Sequence, residues 1–360
     1  MDLGVSTPEH LKQHGWAVLS LIPETIALFE RAREVDIPFL SLSDKDFAPL
    51  RRAWTNASAP VTDDLYGFYA PPKKAEVAGE RTNFMYRRGN WDRMETKLNG
   101  DSPELQTESR AVLALHDQMM GVMSVLGQTM LGGLQDLYGL GGEGQNLVGL
   151  ARSGETPSGP FPFSRTSVTS QLYVNAGSRN NSSSSKILVQ DHIDCTLLTL
   201  IAIPTDDRQL RIQDKITYEY LCPPEYADPA NSYCVVVMMG YLLDTMIGDG
   251  WGITSTAHHV VTGSGIGPRL SVVLRMLPAD DAVLSITHNA AVELKVVSAS
   301  DPGHKDDSRV LVNSGYIVRE FRRTHESVTL QYKNTGNSRR AGRRGTRKSR
   351  RGAQNLLPCM

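Results

Sequence analysis

The stretch "LVQDHIDCTLLTLIAIP", residues 188–204, places a histidine and a carboxylate two residues apart at the start of an apolar run. The continuous apolar run that follows them is typical of a buried β-strand. Because alternate residues of a strand point to the same face, we expect the side chains of His192 and Asp194 to project together. Both are good metal ligands. An isolated HxD pair is nevertheless more typical of a surface ion pair or a hydrogen-bonded histidine than of a metal site.

The surrounding sequence predicts a mainly β fold with flanking helices. Apolar residues recur at helical spacing over residues 8–55 and 102–138, and the second segment begins with a capping signal at Ser102. Beyond the turn-rich residues 139–164, short β-rich runs are separated by Gly, Pro, Asn and Asp. The runs are "TSVTSQLYVN", "KILVQ", "LLTLIAIP", "QLRIQ", "ITYEYLC", "SYCVVVMM", "ITSTAHHVV", "RLSVVLRML" and "AVLSI". Seven to nine short strands at this spacing predict a sandwich or barrel of the jelly-roll type.

Composition limits the classes of protein that the chain can represent. A chain of 360 residues, 40% of them hydrophobic, can bury a sizeable core. The longest strongly apolar run, Cys234–Leu243, is much shorter than the roughly 20 residues of a membrane helix, and residues 1–12 lack the pattern of a signal peptide. The four cysteines show no CxxC spacing and are interpreted as free thiols. We therefore expect a cytoplasmic protein with no membrane partner.

A basic segment ends the sequence. Residues 336–360 contain eight of the 38 lysines and arginines and none of the 39 acids, which leaves residues 1–335 with a net negative charge. Such a segment, poor in apolar residues, predicts disorder over residues 334–360. Residues 339–351 are a candidate contact for nucleic acid or a nuclear import factor, which would make the location nuclear. The alternative is a solvated tail without a specific partner, and the acidic remainder of the chain favours it.

A second element, "STAHHVVTGSGIGPRLSVVLRMLP" at residues 255–278, adds further ligands. Two histidines and one carboxylate form the facial triad that holds Fe(II) while leaving coordination positions open. Arg269 and Ser271 stand two residues apart on one predicted strand face, where they could clamp a carboxylate. Strand alternation puts His258 and His259 on opposite faces, and periodicity does not choose between them.

At these motifs the sequence resembles the Fe(II) and 2-oxoglutarate dependent oxygenases, in the branch that includes isopenicillin N synthase and the plant flavonoid and hormone dioxygenases. The family pattern is HxD, then a distal histidine followed by a basic residue and Val, then RxS. Here it is similar to His192-Ile193-Asp194, His258-His259-Val260 and Arg269-Leu270-Ser271. The segment "SYCVVVMMGYLLDTMIGDGWGITSTAHHVV" resembles the family too. The resemblance covers residues 8–325 and is strongest over residues 170–278.

The resemblance implies a double-stranded β-helix (jelly-roll) core over residues 156–333 with a C-terminal helix, preceded by a helix-rich N-terminal region, residues 1–155. It implies Fe(II) at His192, Asp194 and His258, because the family ligand precedes the basic residue. The implied 2-oxoglutarate contacts are Arg269, Ser271 and Asn175. Dioxygen would be the oxidant, and ascorbate is a candidate reductant. The implied reaction oxidises a small organic molecule by hydroxylation, desaturation or ring closure, with succinate and CO2 as co-products.

The sequence departs from the family pattern where an NxY motif is usual, because Gly177 stands at the position of the tyrosine that follows Asn175 by two residues. Tyr173, on the same predicted strand face, could replace it. Three alternatives stay open: a 2-oxoglutarate-independent iron oxidase of the isopenicillin N synthase kind, a non-catalytic protein on a jelly-roll scaffold, and an oxygenase acting on a nuclear macromolecule. The sequence indicates neither the substrate nor the oligomeric state.

Overall fold

The computed structural model describes residues 6–55, 67–70, 81–89, 94, 102–141, 145–157, 163–173, 187–247, 255–261, 268–298 and 309–323. Asn175, Gly177 and the basic segment 334–360 lie outside these residues. The helices are α1 Pro8–His14, α2 Pro23–Leu40, α3 Ala48–Trp54, α4 Pro103–Leu137, α5 Leu147–Ser153, α6 Tyr241–Ile247, α7 His288–Glu293 and α8 at 314–323. Within the described ranges no helix is both long and apolar enough to span a membrane.

Thirteen β-strands lie in the described part of the chain. They are β1 Trp16–Leu19, β2 Gly67–Tyr69, β3 Arg81–Tyr86, β4 Ser167–Tyr173, β5 Ile187–His192, β6 Leu198–Pro204, β7 Leu210–Gln213, β8 Tyr220–Leu221, β9 Tyr233–Met239, β10 His258–Val261, β11 Arg269–Met276, β12 Val283–Thr287 and β13 Arg309–Asn313. A seven-stranded sheet has the order β1-β9-β6-β11-β4-β3-β2, and a four-stranded sheet has the order β5-β10-β7-β8. The predicted mainly β fold with flanking helices is confirmed.

Several elements differ from the sequence-based expectation. The segment 8–55, predicted as helical, contains β1 between α1 and α2, and β1 pairs with β9 in the large sheet. The predicted strand "ITYEYLC" is reduced to the two residues of β8. The C-terminal helix that the family resemblance implied starts at Ser314, directly after β13. The division of the chain at residue 155 stays a prediction.

The two faces of the seven-stranded sheet pack against different partners. On the outer face, Leu200, Val237 and Leu274 belong to a large apolar core with the methionines of α4, such as Met119. On the inner face, the alternate residues Ile201, Val236 and Val273 form a second core with Leu210, Ile212 and Val260 of the small sheet. Because side chains alternate along a strand, the inner face of the large sheet looks onto β7 and β10.

A buried polar cluster connects the helices to the outer face of the large sheet. Asp36 of α2, His116 of α4 and Ser170 of β4 are all fully buried. The Ser170 hydroxyl donates to the Asp36 carboxylate, and the Oγ atom of Ser170 lies 3.0 Å from Nε2 of His116. Burial raises the pKa of the Asp36 carboxyl, while nearby His116 and the Ser170 hydrogen bond act in the opposite direction.

Candidate metal centre

His192, Asp194 and His258 converge at one end of the small sheet. His192 ends β5, Asp194 lies in the turn that follows, and His258 begins β10 directly opposite His192 in the antiparallel ladder. One ligand atom from each of the three side chains lies within 4.8 Å of those of the other two. His258 and Asp194 are buried, and His192 is nearly so. Chain segments more than 60 residues apart therefore bring two imidazoles and one carboxylate together.

Backbone carbonyls determine which nitrogen of each imidazole faces the cluster. Nδ1 of His192 lies 2.9 Å from the carbonyl oxygen of Gln190, and Nδ1 of His258 lies 3.3 Å from that of Thr256. A carbonyl oxygen only accepts hydrogen bonds, so each Nδ1 carries the proton. The neutral rings then present the lone pair of Nε2, which is the tautomer that a metal ion requires.

The Asp194 carboxylate is held by two side chains. Thr199 of β6 donates a hydrogen bond of 2.8 Å to Oδ2, and Nε of Arg275 of β11 lies 3.6 Å from Oδ1. The backbone carbonyl of Asp194 also accepts a 2.8 Å hydrogen bond from the amide of Tyr241. Because an added Cβ at Gly240 would lie 2.2 Å from the carbonyl oxygen of Thr196, only glycine permits this approach of β9 to the ligand turn.

The electrostatic surroundings keep the three ligands in their metal-binding protonation states. Burial, with the neighbouring His192, lowers the pKa of His258 to about 3 and outweighs the opposing effect of Asp194. Burial likewise lowers the pKa of His192. Burial alone would raise the pKa of Asp194, but Arg275, the two histidines and the Thr199 hydrogen bond lower it well below its usual range. At neutral pH the cluster is therefore two neutral imidazoles and one carboxylate.

These residues fit a ferrous ion. Two neutral imidazole nitrogens and one carboxylate oxygen form the donor set of the 2-His-1-carboxylate facial triad, and the three atoms are close enough to coordinate one ion. Each histidine also has the hydrogen bond to its second nitrogen that metal-ligating histidines commonly make. The cluster is the one His, Cys, Asp and Glu group among the described residues with such spacing.

The predicted carboxylate clamp lies in the same pocket as the triad. Arg269 and Ser271 are buried on the inner face of β11, with Nη1 of Arg269 3.5 Å from the Ser271 hydroxyl. Nε of Arg269 donates a 2.7 Å hydrogen bond to Oδ2 of buried Asp207, which follows β6. The guanidinium also lies over the ring of Tyr173, 5.2 Å from its centroid. Asp207 and Tyr173 thus hold the arginine with its outer nitrogens towards Ser271.

His258 and His259 occupy opposite faces of β10. His258 faces the triad, whereas Nδ1 of His259 lies 2.6 Å from Oδ1 of Asp191 and its ring packs against Tyr220. This arrangement agrees with the choice of His258 that the family resemblance implied. Asn175, the remaining predicted contact, lies outside the described residues.

Five polar residues around the site had no part in the sequence analysis: Arg81, Gln171, Thr199, Asp207 and Arg275. Arg275 had a detectable signal, because it follows Arg269 by six residues and so shares its strand face. The pairing of β3 with β4, and of β4 with β11, brings Arg81 into the pocket, and such pairing is not visible in a single sequence.

No protein-family model matches the sequence, and no curated protein matches it. Solved structures do. A protein of Caulobacter crescentus assigned to the 2OG-Fe(II) oxygenase family superposes with a TM-score of 0.58 at 15% identity, over 88% of this chain and 92% of that one. The Neurospora crassa T7H in complex with alpha-KG and thymine superposes with a TM-score of 0.58 at 14% identity, over 87% of this chain and 88% of that one. The rice dioxygenase for auxin oxidation superposes with a TM-score of 0.55 at 17% identity, over 89% of this chain and 88% of that one.

These likenesses give the chain the fold of the Fe(II) and 2-oxoglutarate oxygenases. The resemblance seen in the sequence is therefore confirmed at the level of the fold. The isopenicillin N synthase-like branch is consistent with this fold.

Proposed function

We propose that the protein is a non-haem Fe(II) and 2-oxoglutarate dependent oxygenase that oxidises a small organic molecule, with succinate and CO2 as co-products. The observation that carries this proposal is the meeting of a buried His192, Asp194 and His258 cluster with the Arg269 and Ser271 pair in one pocket. The fold shared with oxygenases agrees with it. The two sheets would then form the double-stranded β-helix that is expected of the family.

Each residue has a distinct role in this proposal. Nε2 of His192, Nε2 of His258 and a carboxylate oxygen of Asp194 hold the iron. Bound iron with 2-oxoglutarate supplies the activation of dioxygen that couples decarboxylation of the co-substrate to oxidation of the substrate. Arg269 and Ser271 donate hydrogen bonds to the distal carboxylate of 2-oxoglutarate, and Asp207 orients the guanidinium. The pocket side chains of Val189, Ile201, Leu210, Val260 and Val273 limit access of water.

A small-molecule substrate is supported by what two structural neighbours bind or oxidise. The Neurospora crassa T7H is in complex with thymine in one structure and with 5-formyluracil in another, and the rice protein oxidises auxin. Hydroxylation is the default outcome of this chemistry, while desaturation and ring closure are alternatives on the same site.

Anaerobic titration of the Fe(II)-loaded protein with 2-oxoglutarate tests the proposal. We expect the weak visible charge-transfer band of a chelated keto acid in the wild-type protein and in His259→Ala. The band should weaken in Arg269→Ala and disappear in His258→Ala. His259→Ala is the matched control because it removes the adjacent histidine from the opposite face of β10.

The other outcomes would contradict the proposal in different ways. Iron binding without a band would favour the 2-oxoglutarate-independent oxidase. A band of equal strength in wild type and His258→Ala would refute the assigned ligands. Absence of any iron binding would favour a non-catalytic protein on the same fold.

A further inference from the structure

The inner face of strands β3, β4 and β11 is unusually polar next to the metal centre. Arg81, Tyr173 and Arg269 are register partners across the three strands, so their side chains share one face. Asn83, Gln171 and Ser271 form the next row on that face. The pocket that contains the triad is lined by members of both rows. Strand β3 therefore contributes to the pocket a polar residue, Arg81, that neither the triad nor the carboxylate clamp requires.

Arg81 is the arginine of this pocket that has no partner among the described residues. Arg269 is paired with Asp207, and Arg275 lies beside Asp194. Among the residues that the structure describes, the guanidinium of Arg81 makes neither an ion pair nor a hydrogen bond. Its charge nevertheless acts on His192, where it is one of the contributions that lower the imidazole pKa. Arg81 is thus a cation close to the metal centre whose charge no described residue neutralises.

The neighbouring polar groups also have unused hydrogen-bonding capacity. Oδ1 of Asn83 is buried without a hydrogen-bond partner in the described part of the protein. Buried polar groups are nearly always satisfied, so an unpaired acceptor on the strand face that carries Arg81 suits a hydrogen-bond donor of a bound ligand. Tyr173 donates a 3.1 Å hydrogen bond to the Gln171 side-chain carbonyl, which leaves the Gln171 amide hydrogens available on the same face.

The balance of charge indicates the sign of that ligand. Among the described residues, the pocket is lined by three arginines, Arg81, Arg269 and Arg275, and by one carboxylate, Asp194. Asp207 neutralises Arg269 from outside the lining. A ferrous ion and a 2-oxoglutarate dianion would cancel each other, so one positive charge would remain in a pocket where the side chain of Arg81 is partly buried. An unpaired charge in such surroundings is costly, and a negatively charged substrate would remove that cost.

We propose that Arg81 binds an anionic group of the substrate, so that the substrate class is a small organic anion. This inference rests on the proposed function and specifies the substrate of that site. Arg81 and Arg269 stand two strands apart in one row, about 10 Å between backbones at the usual strand spacing. In this proposal they serve two different anions, the substrate at Arg81 and 2-oxoglutarate at Arg269, since Arg269 is the arginine that lies beside Ser271. The Gln171 amide can donate a hydrogen bond to the anion, and Oδ1 of Asn83 can accept one from a donor group elsewhere on the substrate.

Matched pairs of charged and neutral compounds test the inference. Benzoate and phenylacetate would each be compared with the corresponding amide, and phenyl phosphate with phenol, in order to distinguish carboxylate from phosphate. Binding to the anaerobic protein loaded with Fe(II) and 2-oxoglutarate would be followed by perturbation of the visible band and by the shift in thermal unfolding temperature. The variants are Arg81→Gln, Arg81→Lys and, as a control on the exposed surface of α3, Arg52→Gln.

We expect the wild type and Arg52→Gln to prefer an acid over its neutral partner by on the order of tenfold to a hundredfold, the contribution of hydrogen bonds to a charged group. Arg81→Gln should lose that preference while still forming the 2-oxoglutarate band, and Arg81→Lys should keep part of it. Equal binding of acids and neutral partners, no binding of any acid to a protein that forms the band, or an acid preference that survives Arg81→Gln would overturn the inference. Failure of the band itself would instead count against the proposed function, and the thermal shifts would still report whether Arg81 selects anions.

Discussion

His192 and His258 are direct register partners in the β5 and β10 ladder, and their ring centroids lie 4.1 Å apart. Each ring is fixed by a hydrogen bond from its Nδ1 to a backbone carbonyl two residues earlier in the chain. Both lone pairs are therefore directed by the backbone of the strands rather than by flexible side-chain contacts. Such rigid placement of two neutral imidazoles beside Asp194 is what a divalent cation needs and what a solvent-exposed histidine pair lacks.

Loss of His258 should abolish stabilisation of the fold by metal. Fe(II) under anaerobic conditions, at a hundred times its dissociation constant, should raise the free energy of unfolding of the wild type by about 2.7 kcal/mol. The same addition should leave His258→Ala unchanged and should stabilise His259→Ala as it does the wild type, because His259 faces Asp191. Thermal unfolding with and without a chelator measures this. Equal stabilisation of all three proteins would mean that the ion binds elsewhere.

Removal of the Thr199 hydroxyl should weaken metal binding without removing a ligand. Thr199→Val deletes the 2.8 Å hydrogen bond to Oδ2 of Asp194 and keeps the shape of the side chain. Partners of metal ligands typically contribute ten- to a hundredfold to metal affinity, so we expect a loss at the lower end, roughly tenfold. Isothermal titration with Fe(II) provides the measurement, and Thr129→Val on the exposed surface of α4 provides the control. Unchanged affinity in Thr199→Val would show that the hydrogen bond does not orient the carboxylate.

The pair of Arg269 and Asp207 should show strong energetic coupling. Each single substitution, Arg269→Gln or Asp207→Asn, leaves one buried charge without its 2.7 Å partner, so each should destabilise the fold by about 3 kcal/mol. The double variant should be less destabilised than the sum of the two, because no charge is then left unpaired. Urea unfolding of the four proteins measures the coupling. Additive effects would indicate that the two side chains act independently.

His10 should make the stability of the fold sensitive to mild acid. Burial, together with nearby His14, lowers its pKa to about 4, and Nε2 of His10 is buried without a hydrogen-bond partner in the described residues. The folded protein therefore resists protonation that the unfolded chain accepts below about pH 6.5. Stability contributed by neutral His10 is complete above that pH and is lost as the pH falls towards 4.

His10→Gln should reduce this loss. Because the side chain is only partly buried, solvent screening limits the expected difference between wild type and variant to about 1 kcal/mol across that interval. Urea unfolding at pH 7 and at pH 4.5 gives the two values for each protein. An identical decline in both proteins would exclude His10 as the source.

The sequence was informative where chemistry and strand periodicity coincide. The RxS pair begins a strand with a strong apolar run, so both the strand and the shared face of Arg269 and Ser271 could be predicted. The HxD pair was expected within one strand, but β5 ends at His192 and Asp194 lies in the turn that follows. Periodicity did not distinguish His258 from His259. The capping signal at Ser102 was similarly clear, and its hydroxyl accepts a hydrogen bond from the amide of Leu105 at the start of α4.

The contributions that were missed come from pairing between distant segments. Strand β1 is four residues long, and β3 alternates Arg81, Asn83 and Met85 with Thr82, Phe84 and Tyr86. Strand β1 is too short to show a periodic pattern of apolar residues, and β3 shows only a weak one. Neither segment indicates which strand it pairs with. Asp207 was missed for a related reason, since its partner Arg269 lies 62 residues further along the chain.

The antiparallel pairing of β1 with β9 has a consequence for how the chain is made. Trp16 pairs with Met238 and Leu19 with Val235, so more than 200 residues separate the two halves of one ladder. During synthesis, β1 remains without its hydrogen-bonded neighbour until β9 has left the ribosome. Contacts of such long range slow folding and expose strand edges to aggregation in the interval. The nascent chain should therefore depend on chaperones until β9, the sixth strand of its large sheet in chain order, is complete.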